Sequence, residues 1–171
     1  MGALWGIGGV LLLLSSAVWR LTPVGLAALE APLGAGHTLF LVLWMVFMLW
    51  SEGYRGFHLG FAPRVVARAR YLREHPRPLH VALAPLYCMG FVHATARRRV
   101  TSLAVTAGIV ALVVLVRRFP QPWRGLVDLG VVVGLAAGIL SLAWYAARGF
   151  GPRPLPVSPE VPGGGSGAAA G

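Results

Sequence analysis

The sequence contains little charge, no lysine and a single cysteine. Charged residues make up 12% of its 171 residues, and the 15 basic residues are all arginines. Charged residues approach a quarter of a soluble domain, so this composition excludes an ordinary soluble protein. The lone Cys88 excludes a disulfide within the chain. The sequence also has no nucleotide-binding glycine loop, nucleophile elbow or zinc-ligand spacing, so no enzyme activity is indicated.

Long apolar runs are the dominant feature of the sequence. Hydrophobic residues account for 57% of the chain, and four runs approach or reach the roughly 20 residues of a spanning helix. The runs lack the alternation of membrane barrel strands, so each is predicted to be a helix. We therefore predict an all-α integral membrane protein, a polytopic bundle. Its four predicted transmembrane helices cover residues 3–19, 36–52, 100–116 and 125–147.

The first run, the loop after it and the C-terminal tail complete the predicted organisation. The first run lacks the basic start of a signal peptide, so we predict a retained helix. Residues 20–37 contain Pro23 and Pro32 and are predicted to form a loop. Residues 1–148 form the predicted membrane domain. Residues 149–171 are rich in Pro, Gly and Ala, and we predict a disordered tail.

Residues 53–99 are predicted to be a basic region on the cytoplasmic side. Within it, residues 61–75 place apolar side chains on one helical face with arginines on its borders, which is typical of a helix lying in the membrane interface. A solvated basic loop is the alternative. The arginines adjoin apolar runs, so they predict binding to anionic lipids and not to nucleic acid. The predicted headgroup contacts are Arg64, Arg68, Arg70, Arg73, Arg77, Arg97, Arg98 and Arg99.

Residues 79–94 decide whether the chain has four spans or five. Pro78 and Pro85 interrupt this stretch and only short parts of it are apolar, as in a re-entrant or interfacial segment. Four spans place about eleven arginines inside and four outside, whereas five spans give about nine and six, so the positive-inside rule favours four. This topology places both termini in the cytoplasm. The composition, rich in Ala, Gly, Pro and Arg, suggests a bacterial inner membrane.

Two acidic residues next to apolar runs are candidate functional groups, because charge near lipid is costly. Glu52 is three residues before Arg55, and Asp128 is four residues after Arg124, so each acid can pair with its arginine on one helix face. The simpler interpretation is an ion pair that anchors a helix end; the alternative is a role in transport. The histidines show no paired spacing, and no haem, metal or other cofactor is predicted.

Glycines at four-residue steps predict close helix packing in the last span. Gly130, Gly134 and Gly138 form one smooth face, and membrane helix interfaces use small residues of this kind. Ala104 and Gly108 on the preceding span are the candidate complement, because the short connection predicts antiparallel neighbours. A helix of another copy is the alternative partner.

These features favour an accessory, assembly or scaffold subunit without catalytic activity of its own. Such a subunit would belong to a homo-oligomer or a larger membrane complex. The alternative is a small oligomeric transporter or channel that uses Glu52 or Asp128. The two hypotheses differ in what they place at the middle of the membrane, since a transporter is expected to have ionisable or irregular helical elements there.

Overall fold

The computed structural model describes residues 1–150, 157 and 159, and within these residues all regular structure is helical. Most of the predicted tail at 149–171 therefore lies outside the described residues. The helices are Gly2–Leu29 (α1), Ala35–Met48 (α2), a π-helical segment Leu49–Phe61, Ala62–Glu74 (α3), Pro78–Ala82 (α4), Ala84–Met89 (α5), Ala96–Val116 (α6) and Trp123–Gly149 (α7).

Four helices are long and apolar enough to cross a membrane, in agreement with the number of predicted spans. They are Gly2–Leu29, the continuous helix Ala35–Glu74, Ala96–Val116 and Trp123–Gly149.

The first helix is longer than predicted, because it continues through Pro23 to Leu29. Proline removes one helical hydrogen bond, and the proline signals predict a loop here. Packing outweighs that signal. A Cβ at Gly25 would lie 2.7 Å from the Leu129 side chain, and Gly125 lies directly against Ala28. This close contact with α7 stabilises the last turns of α1 as helix.

The second helix does not end near residue 52, and that prediction is wrong. Helix α2 passes into the π-helical segment and then into α3, which gives one helix of 40 residues. The wider π-helical turn is visible at Gly56 and Gly60, where an added Cβ would lie 3.4 Å from the carbonyl oxygen five residues earlier. Glycines end many helices, but here they relieve crowding inside a widened one.

Helix α7 is the centre of the bundle and contacts both other long packed helices. It runs antiparallel to α1, because Gly25 meets Leu129 near its start. It also runs antiparallel to the helix 35–74. A Cβ at Gly138 would lie 2.6 Å from the Phe57 ring, while Gly130 lies against Trp44. One end of the bundle thus combines the start of α1, the end of α7 and residues 62–99, and we call it the arginine-rich end.

Helix α3 buries its apolar face inside the protein, where the sequence predicts contact with lipid. Val65, Val66, Ala69 and Leu72 belong to a buried cluster shared with α1, α5 and α7. The amphipathic pattern is correct, but the surface that covers it is protein. A periodic apolar face predicts that one side of a helix is buried, but it does not show whether lipid or protein covers that side.

Residues 79–94 do not form a span, as predicted. They contain α4 and α5, which have five and six residues, and a helix of six residues covers only about 9 Å. Ala84, Tyr87 and Cys88 are fully buried. Cys88 lies against Gly6 and Pro85 lies against Gly9, so this segment packs on the first turns of α1 at the arginine-rich end.

Helix α6 has almost no partner among the described residues. Its buried residues are Ser102, near its start, and Val116, at its end. Ala104 is exposed, and no atom lies within 4 Å of a Cβ placed on Gly108. The sequence predicts that α6 packs along α7, but the structure does not bring these residues to the glycine face.

Candidate functional site

Exposed tryptophans near the two ends of α7 allow the length of this helix to be compared with the thickness of a membrane. Trp123 and Trp144 are exposed, and the Arg148 guanidinium lies 3.8 Å from the Trp144 ring centre. Tryptophan and arginine at a helix end are typical of the headgroup layer. The two tryptophans are about 31 Å apart along the helix, close to the thickness of the hydrocarbon layer. Gly134 is midway between them.

Glu52 lies against this midpoint. A Cβ at Gly134 would be 3.3 Å from Oε2 of Glu52, and the main-chain oxygen of Met48 would be 3.5 Å away. The sequence places Glu52 at the end of a span. Because the helix continues through the π-helical segment, the half-buried carboxylate is instead level with the centre of α7. Charge at this depth is costly, so it is a functional candidate by default.

The predicted partner of Glu52 points elsewhere. The Arg55 guanidinium lies 5.1 Å from the ring centre of Trp50, five residues earlier. In a π-helical turn, residues five apart are stacked and residues three apart are not, which explains why the predicted Glu52–Arg55 pair does not form. Within the described part of the chain, no cationic side chain lies within ion-pair distance of Glu52.

Polar and aromatic groups continue from Glu52 toward the arginine-rich end. His58 Nδ1 is 3.3 Å from the Ser141 hydroxyl. The His58 ring is stacked on Tyr54 with 5.8 Å between ring centres, and the Tyr145 ring is 5.3 Å away. Gly134 and Ser141 are about two turns apart on α7, roughly 10 Å, and therefore share one face. We call Glu52, His58, Ser141 and the Tyr54 and Tyr145 rings the polar seam.

Asp128 forms the ion pair that its spacing predicts. Arg124 Nε lies 4.0 Å from Asp128 Oδ2, and Asp128 is buried near the start of α7. Asp128 is about 9 Å along α7 from Gly134, and about a third of a turn around the helix. The structure therefore places Asp128 at a helix end and Glu52 at mid-helix, and the two acids do not share one position.

Arg68 is inside the protein and does not contact headgroups, so its prediction is corrected. It is 1% exposed, and Nε donates a hydrogen bond of 2.6 Å to the Tyr87 carbonyl. Nη2 donates to the carbonyls of Val92 and His93 at 2.7 and 3.0 Å, and Nη1 to that of Pro159 at 2.8 Å. A buried guanidinium with these acceptors clamps residues 87–93 onto α3.

The seven other predicted headgroup arginines are at least partly exposed. They are Arg64, Arg70, Arg73, Arg77, Arg97, Arg98 and Arg99.

Two histidines lie beside the Arg68 clamp. The ring centres of His80 and His93 are 4.8 Å apart, and His93 has a left-handed backbone with φ of 47°, a strained conformation for histidine. Partial burial and the positive charges of His93, Arg77 and Arg68 lower the pKa of His80. The described residues hold no group of three His, Cys, Asp or Glu side chains placed for a metal ion.

Sequence reasoning identified Glu52 but misplaced it, and it overlooked His58 and Ser141. The available signal was the absence of proline between residues 48 and 61 together with glycines spread through that stretch. Helices in membranes tolerate glycine more often than soluble helices do. Comparison of the chain with protein-family models, curated proteins and solved structures finds no match to any of them.

Proposed function

We propose that the protein is a small membrane transporter or channel in which Glu52 binds the transported cation. The observation that carries this proposal is the position of Glu52, level with the midpoint between Trp123 and Trp144 on α7. Isolated charge is rare at that depth and marks ion pathways in membrane proteins. The sequence ranked this hypothesis second because the middles of the predicted spans are apolar, and the position of Glu52 beside the midpoint of α7 supports ranking it first.

The π-helical segment supports the same function. π-helical turns are frequently found at functional sites, and transporters place irregular helical elements around their binding sites. Gly53 is buried against Ala137, and Gly134 lies opposite Glu52. Absence of side chains at both positions lets the carboxylate approach the backbone of α7 closely.

The test is ion flux through purified full-length protein in liposomes. Flux should be measured under proton, sodium, potassium and magnesium gradients, with empty liposomes as the baseline. Glu52→Gln should reduce the flux to that baseline. Glu74→Gln is the matched control, because Glu74 is exposed at the arginine-rich end and pairs with Arg70 at 3.3 Å. Wild-type protein that carries none of these ions would overturn the proposal.

A second function, an accessory or assembly subunit of a larger complex, is favoured by the exposed surface of α6, most of which the described residues leave uncovered. The exposed Ala104 and Gly108 would let a helix of another copy or another protein approach closely. Mild-detergent purification with identification of copurifying proteins tests this function. A stable partner protein combined with no ion flux would select it over transport.

We further propose a bacterial inner membrane with the arginine-rich end in the cytoplasm, in contact with anionic lipids. The positive-inside rule and the exposed Arg73, Arg77 and Arg97 support this orientation. Cysteines at Arg77 and Ala96 in a Cys88→Ala background provide the test. An impermeant thiol reagent should miss both in intact cells and label both after lysis. Labelling of the Ala96 site in intact cells would contradict this orientation.

A further inference from the structure

We propose that the cation bound at Glu52 is a proton, and that His58, hydrogen-bonded to Ser141, passes it between Glu52 and the arginine-rich end. The inference rests on the proposed transport function. It names the transported ion and the part of its path between Glu52 and the arginine-rich end. It is carried by the polar seam, in which both titratable groups lie on one face of α7.

The surroundings of Glu52 fit a proton better than a metal cation. Sodium, potassium and calcium require several oxygen ligands at once, whereas a proton needs one carboxylate oxygen. The groups beside Gly134 and Gly53, where Glu52 lies, include the main-chain oxygens of Met48 and Gly134 and the apolar side chains of Leu49 and Ala137. Main-chain carbonyls within helices already accept helical hydrogen bonds. The described residues hold no group of three His, Cys, Asp or Glu side chains that could bind a metal ion.

His58 is the next titratable group on the same face of α7. Glu52 lies at Gly134 and His58 lies at Ser141, and these two positions are about 10 Å apart along the helix. The Phe57 ring lies against Gly138, between these two positions. The proton would therefore pass beside this ring, on one or two water molecules or by rotation of the flexible Glu52 side chain.

Ser141 can hold His58 in either protonation state. Its hydroxyl donates to Nδ1 of the neutral imidazole and accepts from the Nδ1–H of the imidazolium. The groups facing His58 are the Tyr54 and Tyr145 rings, on either side of the imidazole. Among described residues no arginine contacts it, since Arg148 lies over Trp144 and the Arg64 guanidinium lies beside Gly60.

The transfer is balanced at each step. Protonated Glu52 gives its proton to neutral His58, which leaves a carboxylate and an imidazolium. The imidazolium then releases the proton to water at the arginine-rich end and returns to the neutral form. Transport in the opposite direction reverses both steps. No electron transfer or covalent intermediate is involved.

The experiment measures proton flux in liposomes for His58→Gln, Ser141→Ala and Glu52→Gln. We expect His58→Gln to reduce flux about tenfold or more, because proton transfer by a positioned side chain contributes at least that much. Ser141→Ala should give a smaller reduction. His75→Gln is the matched control, since His75 is exposed and stacks on Tyr71 outside the seam.

Chemical rescue separates a relay from a structural role. Flux lost in His58→Gly should return when free imidazole is added, which a mere packing defect would not do. Full flux in His58→Gln, with flux abolished in Glu52→Gln, would overturn the relay and leave the transport function standing. Sodium or potassium flux that depends on Glu52 would overturn the proton assignment alone. Wild-type protein without any flux would instead remove the proposed function itself.

Discussion

Helices α6 and α7 are equally apolar and adjacent in sequence, yet the surface of α6 is mostly exposed whereas α7 is the centre of the bundle. Both have a mean hydropathy of 2.2 over their most apolar windows, but 11% of that window is buried in α6 and 44% in α7. Apolar character directs a helix to the membrane, where lipid is as apolar as leucine and provides no drive for helices to associate. Packing depends on shape and on a few polar contacts.

The residues that differ between the two helices explain the difference in burial. Gly130, Gly134 and Gly138 each receive a larger side chain from the helix 35–74. The Trp44 indole also donates a hydrogen bond of 3.0 Å to the Val127 carbonyl. In helix α6, no atom of the described residues lies within 4 Å of a Cβ placed on Gly108. A helix needs both small residues and bulky partners that fit them, and α6 has only the small residues.

Bulky substitutions at matched glycines of α7 and α6 should give the largest difference in stability between the two helices. Gly130→Leu in α7 should destabilise the bundle by about 3 kcal/mol, because the new side chain would overlap the Trp44 ring. Gly108→Leu in α6 should leave stability unchanged, since no atom of the described residues lies within 4 Å. Thermal unfolding in detergent measures both. Equal losses in the two variants would show that α6 is packed against a partner in the sample.

The clamp at Arg68 joins the segment before α6 to the packed body, and its removal should have the next largest effect. Arg68→Met leaves the carbonyls of Tyr87, Val92 and His93 without these donors and should destabilise this end by about 2 kcal/mol. Arg73→Met is the control, because Arg73 is exposed and lies over the Phe150 ring.

Thiol labelling at Cys88 gives a local measurement of the same change. Burial raises the pKa of the Cys88 thiol to about 12, so the reactive thiolate is scarce at neutral pH. We expect slow maleimide labelling in the wild-type protein and in Arg73→Met, and faster labelling in Arg68→Met. Unchanged labelling after Arg68→Met would mean that burial by α1 alone holds this segment in place.

The hydrogen bond from Ser102 of α6 to the segment before it should have the smallest effect. Ser102 Oγ donates to the Met89 carbonyl at 3.1 Å, and Ser102→Ala should cost about 1 kcal/mol or less. We expect little change in the melting temperature and faster amide hydrogen exchange limited to the first turns of α6. Exchange that also increases in α7 would contradict the independence of the two helices.

The sequence was sufficient to predict four helices long and apolar enough to span a membrane, because each long apolar run must form a helix in lipid. It also predicted that residues 79–94 do not cross, from Pro78 and Pro85. It failed where tertiary contacts overrule a local signal. Pro23 lies within a helix, and the glycines after Met48 lie in a widened helix that does not end there.

The candidate site was harder to predict than the fold, since depth in the membrane depends on where helices end. Glu52 appeared to be at a helix end only because the π-helical continuation was not recognised. Arg68 has the same spacing as its exposed neighbours, and nothing local to the sequence distinguishes it. Its burial follows from distant carbonyls, those of Val92 and His93 among them, which come to α3 only through the fold.

The helix from Ala35 to Glu74 has a mechanical consequence. Its 40 residues would extend about 60 Å as a regular α-helix, twice the thickness of the hydrocarbon layer, so the whole helix cannot lie within that layer at the tilts that membrane helices adopt. The same helix carries both the Arg68 clamp and Glu52. A displacement of the clamp would therefore be transmitted to Glu52 along one continuous helix.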